Sequence, residues 1–129
     1  MYIETSSVGN NSTARLSSSL RQSAHYLGLC LVFYYHMYGN SVGALNVVLY
    51  TGATDTLLFS RSQDQGNKWQ QASIHFTTYS AWQITFEAVS GHSYTGDIAI
   101  DDISFLPGSC PTQGKASFTL LITGMILDL

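Results

Sequence analysis

The sequence contains few charged residues and no cluster of basic ones. Lys, Arg, Asp and Glu together make up only 10% of the 129 residues, and the net charge is −3. The five basic residues are scattered along the chain. Proteins that bind a phosphate backbone concentrate Lys and Arg on one surface instead. The sequence therefore predicts that nucleic acid is not a partner.

Familiar catalytic motifs are also missing. There is no Gly-x-Ser-x-Gly segment that would expose a serine nucleophile, and no His-Glu-x-x-His segment that would bind a catalytic zinc. The four histidines are far apart, and His36 and His75 fall within predicted strands, where a packed or rim residue is the usual role. We therefore predict that the chain is not an enzyme.

No apolar run is long enough to cross a bilayer, which requires about 20 residues in a helix. Residues 1–11 are polar and contain neither a basic nor an apolar segment of the kind found in signal peptides, so we expect no signal peptide in this chain. Residues 116–129 are apolar but too few to span a membrane. This tail is interpreted as a read-through segment, a strand that replaces one absent from the chain, or the remnant of a membrane anchor.

Only two cysteines are present, Cys30 and Cys110. Their wide separation excludes the Cys-x-x-Cys pattern of redox and zinc sites. The residues alone leave two alternatives open, a pair of buried free thiols or a disulfide.

Apolar residues are arranged with the period of β-strands, and no window has a sustained helical period. The cleanest alternation is formed by Trp82, Ile84, Phe86 and Ala88, which predicts a half-buried strand with Trp82 in the core. Residues 28–38 are apolar or aromatic on both faces, which is typical of a central strand. Short strands separated by frequent turns predict an antiparallel β-sandwich.

The segment 96–105 has a change of phase in its apolar residues. Ile98 and Ile100 would lie on one side of an extended strand, and Ile103 and Phe105 on the other. One extra residue absorbed at Asp101–Asp102 would return both pairs to the same core, which is the effect of a β-bulge. The sequence therefore predicts a core strand with an acidic bulge.

Several segments occur in a recognisable order along the chain. They are residues 2–6, 14–16, 30–39 with Gly43, Leu45 and Val47, 66–69, and 96–105 with Gly108 and Cys110. Together they resemble the MAM domain, an extracellular module of meprins, neuropilins and receptor-type tyrosine phosphatases, and the last of them is similar to the carboxy-terminal signature of that family. The resemblance implies an all-β, antiparallel jelly-roll sandwich over residues 1–111, with residues 112–129 as a non-family apolar tail.

The resemblance has further implications for individual residues. Cys30 and Cys110 match cysteines that are bonded to each other in the family, so a disulfide is expected, in an oxidising compartment. The family usually begins earlier, with a strand that carries two more cysteines and an acidic residue, so we interpret the chain as truncated, with one sheet edge open. Trp69 resembles a buried tryptophan of the family.

Two kinds of modification or ligand site are also predicted. Acidic residues beside a bulge can aim several oxygens at a hard cation, so Asp101, with Asp102 second, is a candidate Ca²⁺ ligand. A solvated acidic face explains the same residues without a metal, and no cofactor is required. Asn10 and Asn11 begin overlapping Asn-x-Ser/Thr triplets and are candidate glycosylation sites, although a polar turn explains them equally.

The function implied by the resemblance is that of a non-catalytic adhesion or recognition module of a larger membrane-bound or secreted protein. Such a module acts outside the cell or at its surface, its partners are proteins, copies of itself included, and it meets the membrane only through the parent protein. Two alternatives are a carbohydrate-binding jelly roll, since this architecture is common among lectins, and a metal-stabilised structural spacer.

Overall fold

Strands account for all the regular structure in the part of the chain that the computed structural model describes, which comprises residues 2–3, 13–22, 24–39, 42–52, 54–89, 96–110, 120–121 and 126–128. The prediction of an all-β fold is therefore confirmed. In chain order the strands are β1 (Tyr2–Ile3), β2 (Thr13–Ser17), β3 (His25–Gly39), β4 (Ala44–Thr51), β5 (Asp55–Ser62), β6 (Gln70–Thr78), β7 (Trp82–Val89), β8 (Gly96–Pro107), β9 (Leu120–Leu121) and β10 (Ile126–Asp128).

The strands form two antiparallel sheets. Sheet A has the order β1-β8-β3-β6, with β9 also paired to β8, and sheet B has the order β10-β2-β7-β4-β5. Their inner faces enclose one core, as expected for the predicted jelly-roll sandwich. Phe33 of sheet A links the layers, because its ring packs edge-on against Phe59 and Phe86 of sheet B at centroid distances of 5.3 and 5.0 Å.

Strand β3 is the central strand of sheet A, as predicted, because it pairs with β6 on one side and with β8 on the other. Its inward-facing side chains are all buried, namely Leu29, Leu31, Phe33, Tyr35 and Met37. On the outer face the burial changes along the strand. Cys30 and Val32 are buried, whereas Tyr38, near the other end, is exposed. The outer face is therefore covered at one end and open at the other.

The predicted bulge is present in β8. Val32 of β3 lies opposite Ser104, and Tyr34 lies opposite Asp101. Between these two pairs strand β8 therefore contains one residue more than strand β3. The backbone of Asp102, at the bulge, has a φ of 52° and therefore lies in the left-handed region. As a result Ile98, Ile100 and Phe105 are all buried in the same core, and Ile103 packs against it.

Residues after the disulfide add to both sheets. Strand β9 pairs with β8 at Ser104 and Phe105, and β10 pairs with β2. Strand β1 pairs with β8 at Ile98 and Ala99. In the described residues these short strands pair with β8 at Ile98–Ala99 and Ser104–Phe105, while β6 lies at the other end of the sheet order, so the expectation of one open sheet edge stays a prediction.

The outer face of sheet B is a polar network. The Arg15 guanidinium donates to Glu87 at 3.1 Å, the Asn46 amide donates to the same carboxylate at 3.4 Å, and the Ser60 hydroxyl donates to Asn46 at 2.7 Å. These groups satisfy one another across β2, β7, β4 and β5. Such a solvated ion pair contributes little to stability, roughly 0–1 kcal/mol.

Candidate functional site

Cys30 and Cys110 form a disulfide in the structure, with their Cα atoms 4.8 Å apart. Cys30 is fully buried in β3, and Cys110 follows the end of β8. Val32 and Leu106 pack beside the bond in a small cluster on the outer face of sheet A. The disulfide therefore ties two neighbouring strands together and covers one end of that face.

The acidic pair lies on the exposed bulge. The backbone N–H of Asp102 donates to Asp101 Oδ1 at 2.9 Å, and this hydrogen bond lowers the pKa of the Asp101 carboxyl below its ordinary value. Two carboxylates supply fewer than the six to eight oxygens that Ca²⁺ takes. Within the described ranges no three His, Cys, Asp or Glu residues are grouped so as to hold a metal ion. The cation site at Asp101 and Asp102 stays a prediction.

The candidate glycosylation residues Asn10 and Asn11 lie outside the described residues, so these sites also stay predictions. Of the histidines, His36 Nε2 donates to Asn67 Oδ1 at 3.0 Å, and His75 Nε2 lies 3.3 Å from the carbonyl oxygen of Leu27. Both hydrogen bonds hold loops or strand ends in place, in keeping with the rim role predicted for these residues.

A surface that the sequence reasoning missed lies where β3 begins and β6 and β8 end. It consists of Tyr26, Leu27 and Tyr79, which we call the tyrosine–leucine patch. The three side chains are 67%, 87% and 69% exposed, and the two tyrosine rings are 5.4 Å apart. An open groove adjoins them, lined by Tyr26, Leu27, Gly28, Pro107 and Gly108.

The backbone at Gly28 explains why this patch faces solvent. The pairing of β3 with β6 shifts register between His25 and Leu29, and Gly28 has a φ of 90°. The Gly28 carbonyl accepts a hydrogen bond from the Gly108 N–H at 2.9 Å, and this bond ties the irregular part of β3 to the residue that follows β8. Two large apolar residues followed by a glycine within a long strand are the sequence signal for this feature.

A second surface lies at the opposite end of sheet A. It consists of Tyr34, His36, Tyr38, Asn67 and Trp69, which we call the tryptophan–histidine strip. The His36 ring lies 5.4 Å from the Trp69 ring and 6.2 Å from the Tyr38 ring. Trp69 is 49% exposed, so the expectation of a buried tryptophan at this position is wrong. Trp69 precedes β6 and packs on the outer face, whereas Trp82 is buried in the core as predicted.

Comparison with known proteins gives a consistent result. The family model "MAM domain, meprin/A5/mu" matches residues 1–111. MAM domain-containing glycosylphosphatidylinositol anchor protein 1 of Homo sapiens is 44% identical over 120 residues, which cover 88% of this chain and 12% of the relative. Thyroid hormone-induced protein B of Xenopus laevis is 43% identical over 114 residues, which cover 85% of this chain and 16% of the relative.

The chain therefore spans only 12–16% of the length of these curated relatives. The similarity nevertheless covers most of the chain itself, and the family match extends through both cysteines of the disulfide. With the two-sheet architecture and the acidic bulge in β8, this match shows that the chain belongs to the MAM domain family.

Proposed function

We propose that the chain is a non-catalytic, extracellular recognition module that associates with a second copy of itself through the tyrosine–leucine patch. The observation that carries this proposal is the exposure of Tyr26, Leu27 and Tyr79 side by side. Large contiguous apolar groups on a surface are characteristic of interaction sites, and tyrosine is enriched at the centres of interfaces.

The patch has the shape needed for self-association. Leu27 is largely exposed and, together with Tyr26, Gly28, Pro107 and Gly108, lines an open groove. In a two-fold dimer the same surface of each copy faces the other, so a projecting side chain and a groove on one surface can fill each other. Strand β6 ends the order of sheet A beside this patch, and an edge strand also offers backbone groups to a partner.

The proposed extracellular setting is supported by the disulfide, since such bonds persist in oxidising compartments. It is also supported by relatives whose names describe a glycosylphosphatidylinositol anchor. The described residues contain no helix that is long and apolar enough to cross a membrane. Contact with a membrane would come through the parent protein.

Sedimentation of the chain, from micromolar protein to about 1 mM, tests self-association, because a dimer held by roughly 4 kcal/mol is half formed at that upper concentration. We expect a concentration-dependent dimer that Leu27→Asp abolishes, since a charge would be buried in the contact. Leu57→Asp is the matched control, because Leu57 is 61% exposed on β5 of the other sheet.

The proposal is contradicted if the chain remains monomeric throughout this range. It is equally contradicted if the Leu27 and Leu57 variants associate to the same extent, because the contact would then lie elsewhere. A chain that remains monomeric would instead support the role of a structural spacer.

A further inference from the structure

The tryptophan–histidine strip combines exposed aromatic rings with hydrogen-bonding side chains, a combination that suits a small polar ligand. The His36 ring lies near both the Trp69 ring and the Tyr38 ring. Each ring has an apolar face, and the tyrosine hydroxyl, the imidazole and the Asn67 amide supply hydrogen-bonding groups at the edges. We propose that this strip binds a neutral pyranose ring of a glycan, with Trp69 as the stacking residue.

The strip is held in place before any ligand arrives. Tyr34, His36 and Tyr38 alternate along the outer face of β3, which pairs with β8 at all three positions and also with β6 at Tyr34. The loop before β6 is fixed to this strand, because His36 donates to Asn67 and the Gln65 N–H donates to the Met37 carbonyl at 2.8 Å. Trp69 is therefore positioned beside His36 by the fold, and binding would not have to order it.

The chemistry of a sugar ring matches this arrangement. A pyranose presents C–H groups on its ring faces and hydroxyls around its rim, so an aromatic face and neighbouring amides can satisfy both parts. The hydrogen bond from His36 occupies Asn67 Oδ1 and not Nδ2, so that amide nitrogen can donate to a hydroxyl. Gln71, exposed and opposite Tyr34 in β6, adds a second amide to the same face.

Charge favours a neutral sugar over an acidic one. Lys68 precedes Trp69 in the chain, and Asp101 is exposed opposite Tyr34 across the β3–β8 pairing. Asp102 is exposed beside Asp101, so the acids outnumber the base here and a carboxylate or sulfate group is disfavoured. The outer face of sheet B differs, because its Arg15, Glu87, Asn46 and Ser60 side chains bond to one another.

Methyl β-galactoside, methyl β-glucoside and methyl α-mannoside are suitable probes, added to the full chain at up to about 50 mM. Saturation-transfer NMR would show which sugar protons contact the protein. Only Trp69 and Trp82 are present, and Trp82 is buried, so a saturable change in tryptophan fluorescence reports on Trp69. We expect at least one probe to bind with a dissociation constant of about 1 mM, which is typical of a small contact.

Trp69→Ala is expected to weaken binding at least about tenfold by NMR, because the stacked ring is lost. Tyr79→Ala is the matched control, since Tyr79 is an exposed aromatic residue at the other end of β6 and its loss should leave sugar binding unchanged. Leu27→Asp should also retain sugar binding, so the test is independent of self-association.

Failure of all three sugars to bind would overturn the inference, and so would unchanged binding by the Trp69 variant. Tighter binding of N-acetylneuraminic acid than of the neutral probes would overturn the neutral assignment. If Trp69→Ala alters sedimentation but no sugar binds, the strip is a protein contact and not a glycan site.

Discussion

The two ends of sheet A carry exposed aromatic residues, but they are built in different ways. At the first end the tyrosine–leucine patch is set by the backbone, through the left-handed Gly28, its hydrogen bond to Gly108 and the nearby disulfide. At the second end the tryptophan–histidine strip is held by side-chain contacts and a loop hydrogen bond. The nine residues of β6 separate these ends by about 30 Å.

This difference indicates how each surface can change. The backbone and covalent constraints at the first end also hold the strands of the fold together. Altering them should therefore lower the free energy of unfolding. Side chains that lie on top of a completed sheet can be replaced at little cost, so changes at the second end should affect binding alone. The following predictions test that distinction, beginning with the largest effect.

Removal of the disulfide should have the largest effect. The double variant Cys30→Ala, Cys110→Ala is expected to lose about 4 kcal/mol of unfolding free energy, because the bond closes a long loop and restricts the unfolded chain. The two residues are 80 positions apart. Urea unfolding of the variant, and of the wild type with and without reductant, measures this loss. A loss below about 1 kcal/mol would show that the covalent bond does not distinguish the first end.

Gly28→Ala should be next, with a loss of about 2 kcal/mol from the left-handed backbone and the crowded site. A Cβ at this position would lie 2.8 Å from the Phe76 carbonyl oxygen and would also contact the His75 ring. Gly66→Ala is the matched control, because Gly66 has a similar φ of 92° but open space around it. Chemical unfolding of both variants separates the clash from the backbone strain. Equal losses would mean that crowding at Gly28 is unimportant.

At the bulge between the two ends, Asp102→Val should cost about 1–2 kcal/mol, because a β-branched residue fits poorly in the left-handed region that Asp102 occupies. Asp102→Gly should cost much less, since glycine adopts this conformation freely. Thermal unfolding of the two variants gives the comparison. A valine variant as stable as the glycine variant would indicate that β8 can repair its register without the bulge.

Acid should weaken the same bulge. Since the pKa of the Asp101 carboxyl is lowered in the folded state, its contribution is present above the unfolded pKa and is lost as the pH falls through the folded pKa. Asp101→Asn keeps an acceptor oxygen but removes the titration, so the stability difference from wild type should shrink between about pH 6 and about pH 2. Urea unfolding at both values measures it, and a constant difference would contradict the role of the ionised carboxylate.

The smallest effects are expected for Trp69→Ala and Leu27→Ala, which should each change the unfolding free energy by less than about 0.5 kcal/mol, as exposed substitutions usually do. Calorimetric melting of both variants checks this. A larger loss at Trp69 would show that the strip supports the fold as well as a ligand, and would weaken the distinction between the two ends.

The features that could be predicted from the sequence are those that depend on local pattern. Alternation placed Trp82 and the inward-facing residues of β3 in the core, and the change of phase in residues 96–105 located the bulge. The exposure of Trp69 and the patch around Leu27 could not be predicted in this way. Both depend on which strand lies beside the residue and on what covers it. The spacing of residues in the sequence specifies neither the neighbouring strand nor the cover.

The sequence by itself determined that this is a two-layer β protein with an acidic bulge, because side chains on extended chain alternate and only a bulge reconciles the two halves of β8. Only the tertiary structure decided which aromatic residues remain exposed. The outer face of sheet A is closed beside Cys30 and open beside Tyr38, and this depends on how β6, β8 and the disulfide pack around one central strand.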